Sequence, residues 1–301
     1  MTKGQRKENI EHWLLCLPAL LKVLIFSYLP LIGLLMAFQF YIPRRGLFGS
    51  EWVGFQNFAY LFKSTIASRL IINAVVLNAL GIVAGTVVSL IVGLVMFEVV
   101  NKVFVRASQT ILIFPYFVSW PLVGVLVGSF LSERTGMLTN ILYSIGGTRI
   151  DFYSEPGYWR AILTVTLVWK NSGLSAVMYY AFLIGVDKQL YEAAAIDGAS
   201  KFRRMLHVSM PALNLMVVLG IIVSSANILR IDFNQVYFVT NNDPSLYKTT
   251  DVIETYMFRA LRTEGDYSIS TAVGLVQAAV GFVLTIVINY VSKKLSAQSL
   301  F

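Results

Sequence analysis

The chain has 301 residues, 56% of them hydrophobic and only 13% charged, with a formal net charge of +8 and a mean hydropathy of +0.69. Soluble domains carry about 25% charged residues, so a chain this long and this apolar hides its surface in lipid or in partners. Its basic residues fall in short clusters beside apolar runs rather than along one polar face, which fits a headgroup layer and argues against nucleic acid as a partner.

Six apolar stretches are long enough to cross about 30 Å of hydrocarbon. They predict an all-α integral membrane protein, read as one membrane domain over residues 1–301, with no low-complexity linker and no internal repeat. The first stretch, about 14–41, contains Pro18 and Pro30, and Lys22 near its start can snorkel to the interface. It is too long for a signal-peptide core and shows no small-residue cleavage site, so it reads as an uncleaved span. Trp52, Phe55, Phe58, Tyr60 and Phe62 crowd the following loop, a pattern that predicts a helix lying along the interface. The second span, about 70–98, carries Gly81-x-x-x-Gly85, and the third, about 104–131, carries Gly124-x-x-x-Gly128. Small residues at that spacing let membrane helices approach. Pro115 and Pro121 also lie in the third.

The fourth span covers about 158–186, the fifth about 211–229 and the sixth about 269–291. Between the fifth and sixth, Asp251 to Arg259 places Val252, Thr255, Tyr256 and Arg259 at helical spacing, which predicts a short amphipathic helix. Lys3, Arg6 and Lys7, then Lys102 and Arg106, then Lys201, Arg203 and Arg204, then Lys293 and Lys294 all fall on one side of a six-span arrangement. That side is expected to be cytoplasmic, with both termini on it.

The loop 187–210 is a polar island between the fourth and fifth spans. Alanine is the best helix former, and Gly198 stands where a helix end favours a residue free to take positive φ. A short helix is therefore expected from about Lys188 to Asp197. Glu192-Ala193-Ala194 leads to Gly198, then nine residues to Val208, then Ser209 and Met210-Pro211. This pattern resembles the loop of permease subunits of binding-protein-dependent ABC importers, with Val208 and Met210 in place of the usual Ile and Leu. Gly54-Phe55-x-Asn57-Phe58 and Phe114-Pro115-Tyr116-Phe117-Val118-Ser119-Trp120 are similar to stretches of the sugar-importer permeases. Asp251-Val252-Ile253-x-Thr255-Tyr256, the run from Gly265 to Leu275, and Lys293-Lys294-Leu295 resemble a branch associated with complex oligosaccharides and polysaccharide fragments.

The resemblance implies a type I ABC importer permease with a cytoplasmic coupling helix, in a bacterial plasma membrane. It implies a heterodimer with a second permease chain, an extracellular sugar-binding protein, and two cytoplasmic ATPase subunits that carry ATP and Mg. No cofactor is then expected on this chain. Contact with the ATPases is expected through Tyr191, Glu192, Ala193, Ala194, Asp197 and Gly198.

Polar groups inside spans are costly in lipid and normally face a cavity or a partner. Asn73 and Asn78 lie in the second span, Ser119 and Trp120 in the third, and Trp169-Lys170-Asn171-Ser172-Gly173 interrupts the fourth. Ser224, Ser225, Asn227 and Arg230 cluster in the fifth, followed by Asp232, Asn234 and Gln235, and Gln277 lies in the sixth. Amides and indoles together suit a sugar. Trp120, Trp169, Asn171, Ser225, Asn227, Arg230 and Asn234 are the candidate pathway residues, each of which has the alternative of bonding between helices. Arg230 either meets a polar or anionic substrate or faces water and headgroups, and Lys170 is open in the same way. Asp232 reads as facing water and headgroups.

Catalytic signatures are missing. The sequence has no Gly-Lys-Ser or Gly-Lys-Thr, no His-Glu-x-x-His and no Gly-x-Ser-x-Gly. Cys16 is the sole cysteine and His12 and His207 stand far apart, which leaves neither a disulfide framework nor a metal-ligand spacing. A transport subunit is the favoured reading. The alternative is a polytopic membrane enzyme or assembly factor acting on lipid-linked glycans; a secondary transporter is the weaker third, for want of an inverted repeat.

Overall fold

The computed structural model describes residues 3–296, and their side chains over 12–290. The basic side chains Lys3, Arg6, Lys7, Lys293 and Lys294, and Leu295, lie outside the described side chains. In chain order, α1 (Lys3–Val23) continues through a π-helical turn (Leu24–Tyr28) and a 3₁₀ stretch (Leu29–Phe38). Strands β1 (Gln39–Phe40) and β2 (Glu51–Trp52) flank the short α2 (Gly46–Gly49), and α3 (Gln56–Lys63) follows. Next come α4 (Thr65–Glu98), α5 (Lys102–Phe117), α6 (Trp120–Leu131), α7 (Met137–Ser144) and α8 (Trp159–Ile184). The chain goes on with α9 (Lys188–Ile196), α10 (Lys201–Arg204), a π-helical turn (Met205–Ser209) and α11 (Met210–Ala226). Last are α12 (Phe233–Val239), α13 (Tyr247–Thr250), α14 (Ile253–Arg262) and α15 (Tyr267–Ser296).

Among the described residues five helical runs are long and apolar enough to cross a membrane: His12–Phe38, Thr65–Glu98, Pro156–Ile184, Lys201–Ala226 and Tyr267–Tyr290. The stretch predicted as a third span is a bent pair, α5 and α6 meeting at 96°, and makes a sixth crossing if the pair is one span. Proline explains the break. Pro115 lies inside α5 and Pro121 in the first turn of α6, where a missing N–H is tolerated at the helix start but not in its interior. Val118 and Ser119 between them are extended, with ψ of 129° and 148°.

The contacts divide the chain into two compact units, Met1–Ser64 with Met257–Val276, and Thr65–Tyr256 with Gln277–Phe301. In the first, β1 and β2 pair antiparallel with Gln39 opposite Trp52 and Phe40 opposite Glu51. The Gly54-Phe55-x-Asn57-Phe58 motif folds onto the end of the first apolar run. Phe38 packs against the rings of Trp52, Phe55 and Phe58, and the Asn57 amide donates to the carbonyls of Ala37 (2.8 Å) and Gln39 (3.1 Å). Exposed Trp52, Phe55, Tyr60 and Phe62 give the loop the aromatic surface expected at an interface. Ser268 Oγ accepts from the Tyr41 backbone N–H at 2.9 Å.

In the second unit α4 and α8 pack along their length. A β-carbon at Gly93 would sit 2.9 Å from the Ala176 carbonyl oxygen, so only glycine permits this approach. Gly173 likewise lies against the Leu112 carbonyl of α5, and Gly124 against the Phe238 carbonyl of α12. One hydrophobic centre joins Leu94, Tyr179, Leu183 and Leu213, with Phe97 and Met205 packed on it. At the opposite end of α4, Asn73 donates to the Asp251 carbonyl at 3.0 Å and accepts from Arg160 at 3.0 Å, while Arg69 pairs with the Asp251 carboxylate at 3.0 Å. At the start of α14 the Thr255 hydroxyl accepts from the Val252 N–H at 3.1 Å and donates to the Asp251 carboxylate at 3.1 Å. Of the predicted amphipathic face, Val252, Thr255 and Tyr256 are buried and Arg259 is half-buried.

Candidate functional site

A polar cleft of ≈ 450 Å³ opens between α4, α8 and the end of α11. Three helical stripes build it. Asn78, Ile82, Gly85, Thr86 and Ser89 recur on one face of α4, and Val168, Asn171, Ser172 and Ser175 on one face of α8. The third stripe is Ser224, Asn227 and Arg230. Spacings of three and four place side chains above one another on a helix, so three short polar series converge. The two glycines of Gly81-x-x-x-Gly85 divide the work. A β-carbon at Gly81 would meet Leu167, whereas nothing lies within 4 Å of one at Gly85. One glycine packs and the other leaves room.

Asn171 and Asn227 tie one amide N–H back to their own helices, to Leu167 O at 3.0 Å and Val223 O at 3.1 Å. Their amide oxygens remain as acceptors. Beyond α11 the chain unwinds, and its backbone is held by side chains from three other helices. Asn78 donates to the carbonyls of Ile228 (2.7 Å) and Arg230 (3.2 Å). Gln277 donates to the Leu229 carbonyl at 2.8 Å, and Glu254 accepts from the Ile231 N–H at 3.1 Å. Gln277 also donates to Glu254 at 2.8 Å. Burial pushes the Glu254 carboxyl above its ordinary range; hydrogen bonds from Gln277 and Ile231 and the Arg230 charge oppose this only in part.

Of the predicted pathway residues, Asn171, Asn227 and Arg230 line this cleft. The others stand off it. Trp120 is buried, and its indole donates to the Asp232 carboxylate at 2.6 Å. Asp232 in turn caps α12 through the Asn234 N–H at 2.9 Å, so it has structural partners in addition to the solvent exposure expected of it. Asn234 is exposed and Ser225 half-buried. Trp169, 45% exposed, lines a separate apolar groove with Val88, Leu112 and Pro115. Thr86, Ser89 and Ser175 were not singled out from the sequence; their signal is weak, a hydroxyl every three or four residues among valines and leucines.

Lys170 answers the question its position raised. Its ammonium donates to the carbonyls of Pro115 (3.3 Å) and Tyr116 (2.8 Å) and to that of Val118. It also lies over the Trp120 ring, 5.3 Å from the centroid. A broken helix leaves carbonyls without partners, and a cation at a helix C-terminus meets the negative end of the dipole. The lysine therefore satisfies the break between α5 and α6.

The polar island folds as its spacing predicts. Asp187 caps α9 by accepting from the Gln189 N–H at 2.9 Å. Gly198 takes φ +75°, and the Ala199 N–H reaches the Ala194 carbonyl at 2.9 Å, the pattern that closes helices on a left-handed residue. Tyr191 anchors the helix: its ring packs on Phe97 with centroids 5.4 Å apart, and its hydroxyl lies 3.1 Å from the buried Ser209 Oγ. Ala194 is half-buried, while Glu192, Ala193 and Asp197 are exposed. Ile196 is exposed to 87% and Leu190 to 54%.

Long apolar helices converging on a polar cleft are the architecture of a multi-pass membrane transport subunit. The chain belongs to the family described as binding-protein-dependent transport system inner membrane component, whose model matches residues 79–297. It is 37% identical to Protein LplB of Bacillus subtilis (strain 168) over 290 residues, 96% of this chain and 90% of that one. It is 33% identical to the polygalacturonan/rhamnogalacturonan transport system permease protein YteP of the same strain, covering 96% of this chain and 89% of that one. A crystal structure of a bacterial alginate ABC transporter in complex with an alginate pentasaccharide-bound periplasmic protein holds a similar chain. The TM-score is 0.88 at 31% identity, over 99% of both chains. The fold is that of a type I ABC importer permease.

Proposed function

We propose that this chain is one of two permeases in an ATP-driven importer of oligosaccharides. It pairs with a second permease around the translocation path. An extracellular sugar-binding protein delivers the substrate, and two cytoplasmic ATPase subunits carry ATP and Mg. The observation that supports this most directly is α9. It is capped at both ends, anchored through Tyr191, and exposes Glu192, Ile196 and Leu190, which a soluble partner would cover. Tyr191, Glu192, Ala193, Ala194, Asp197 and Gly198 form that contact, on the cytoplasmic side with both termini. The whole chain acts as one membrane domain. Each tenfold of accumulation requires about 1.4 kcal/mol from the ATPases.

The permease relatives and the alginate transporter support import over glycan chemistry. The test is purification of the chain from its native membrane. Co-purification of a second six-span protein and an ATPase, with ATP-dependent oligosaccharide uptake after reconstitution, is expected. Turnover of a lipid-linked glycan by the chain alone would establish the enzyme instead.

A further inference from the structure

We infer that Arg230 makes the cleft selective for acidic oligosaccharides, its guanidinium pairing with a uronate carboxylate. This rests on the oligosaccharide-import reading. Among the described residues Arg230 is the one charged side chain lining the cleft. Its own backbone is fully engaged without the guanidinium: the N–H donates to the Asn227 carbonyl at 2.8 Å and the carbonyl accepts from Asn78. The carbonyl before it and the N–H after it are held by Gln277 and Glu254. Side chains from three other helices thus fix the turn that presents the arginine. The guanidinium has no carboxylate at ion-pair distance among the described residues. Glu254 acts on it electrostatically but does not line the cleft.

Arg230 is exposed beyond the end of α11, where its cation is open to an anion entering the cleft. Arginine offers a rigid fork of donors that matches a carboxylate in bidentate fashion. The remaining polar lining, such as Asn171, Ser172, Ser175 and Asn227, carries amides and hydroxyls, and among the described residues no aromatic side chain lines the cleft. Recognition there runs through hydrogen bonds and charge, not through ring stacking. Hydroxyl-rich sugar carrying carboxylates fits this set.

The experiment uses the intact importer in proteoliposomes, with its binding protein. Two probes are compared, a galacturonate oligomer and the same oligomer with its carboxyls reduced to alcohols. Wild type is expected to import the acidic probe in preference. Arg230→Gln should lower the acidic-to-neutral uptake ratio about tenfold, the factor carried by about 1.4 kcal/mol, and Arg230→Lys should restore part of it. Gly85→Asp adds a carboxylate to the same cleft where its β-carbon has space, and should lower the ratio while leaving the arginine turn intact. A wild-type ratio in both Arg230→Gln and Gly85→Asp would overturn the assignment. Wild-type import of the neutral probe alone would overturn it too, with the import reading standing. Import of neither probe would overturn both.

Discussion

Glu254 shows how one side chain holds function and stability together. Its Oε1 accepts from Ile231 and Gln277, and Oε2 is buried with no hydrogen-bond partner among the described residues. Burial raises its pKa above the ordinary 4.5. The folded state therefore holds this proton more tightly than the unfolded state. The sign follows: between 4.5 and the raised folded value, stability falls as pH rises, because ionising the buried carboxyl works against folding. Glu254→Gln keeps a neutral acceptor at the same place. It should melt at no lower a temperature than wild type at pH about 7 and lose the decline through that window. Thermal unfolding in detergent across pH measures this, and an unchanged slope in the variant would assign the dependence elsewhere. Nothing in the sequence around Glu254 marks it, since it looks like any acidic residue in the first turn of an amphipathic helix. Gln277 stood out because an amide inside an apolar span needs a partner, but its partner lies far off in the chain.

At the scale of elements, α9 and the α5–α6 break show opposite degrees of legibility. The helix α9 was readable because its signals are local: alanines favour helix and Gly198 permits a left-handed turn, while the Asp187 cap came to light only in the structure. A proline at position 198 would remove the N–H that reaches the Ala195 carbonyl at 3.1 Å and forbid φ +75°. Gly198→Pro should abolish ATP-driven uptake while the chain still inserts and reaches normal amounts in the membrane. Glu192→Lys reverses an exposed charge with no packing consequence, and should also abolish uptake. Normal transport in both variants would remove α9 from force transmission. The α5–α6 break was only half readable. Pro115 and Pro121 signalled an interruption, but a span with a kink and two helices at 96° share one hydropathy profile. Lys170, 55 residues away from Pro115, supplies the charge that satisfies the freed carbonyls, and that pairing exists only in the folded bundle.

At the scale of the whole molecule, orientation is the property most open to direct measurement. Cys16 is the sole native cysteine, so after its replacement by Ala a single cysteine can be placed at Glu192. A membrane-impermeant thiol reagent should label it only in inside-out vesicles. A cysteine at exposed Phe48 should label only from the outside. The reverse pattern would refute the proposed topology. Composition and apolar length alone determined that the chain is helical and lives in a membrane, since lipid leaves an unsatisfied backbone no other economical solution than helices or a closed barrel. The loop spacing alone marked the family and the capped α9. Packing decided the rest: which polar residues face the cleft, which brace a backbone, and which line neither. Asn78 and Ile228, 150 positions apart, meet because α4 and the end of α11 lie side by side. A sequence specifies which side chains are polar, but only the rotation of each helix against its neighbours fixes where they point.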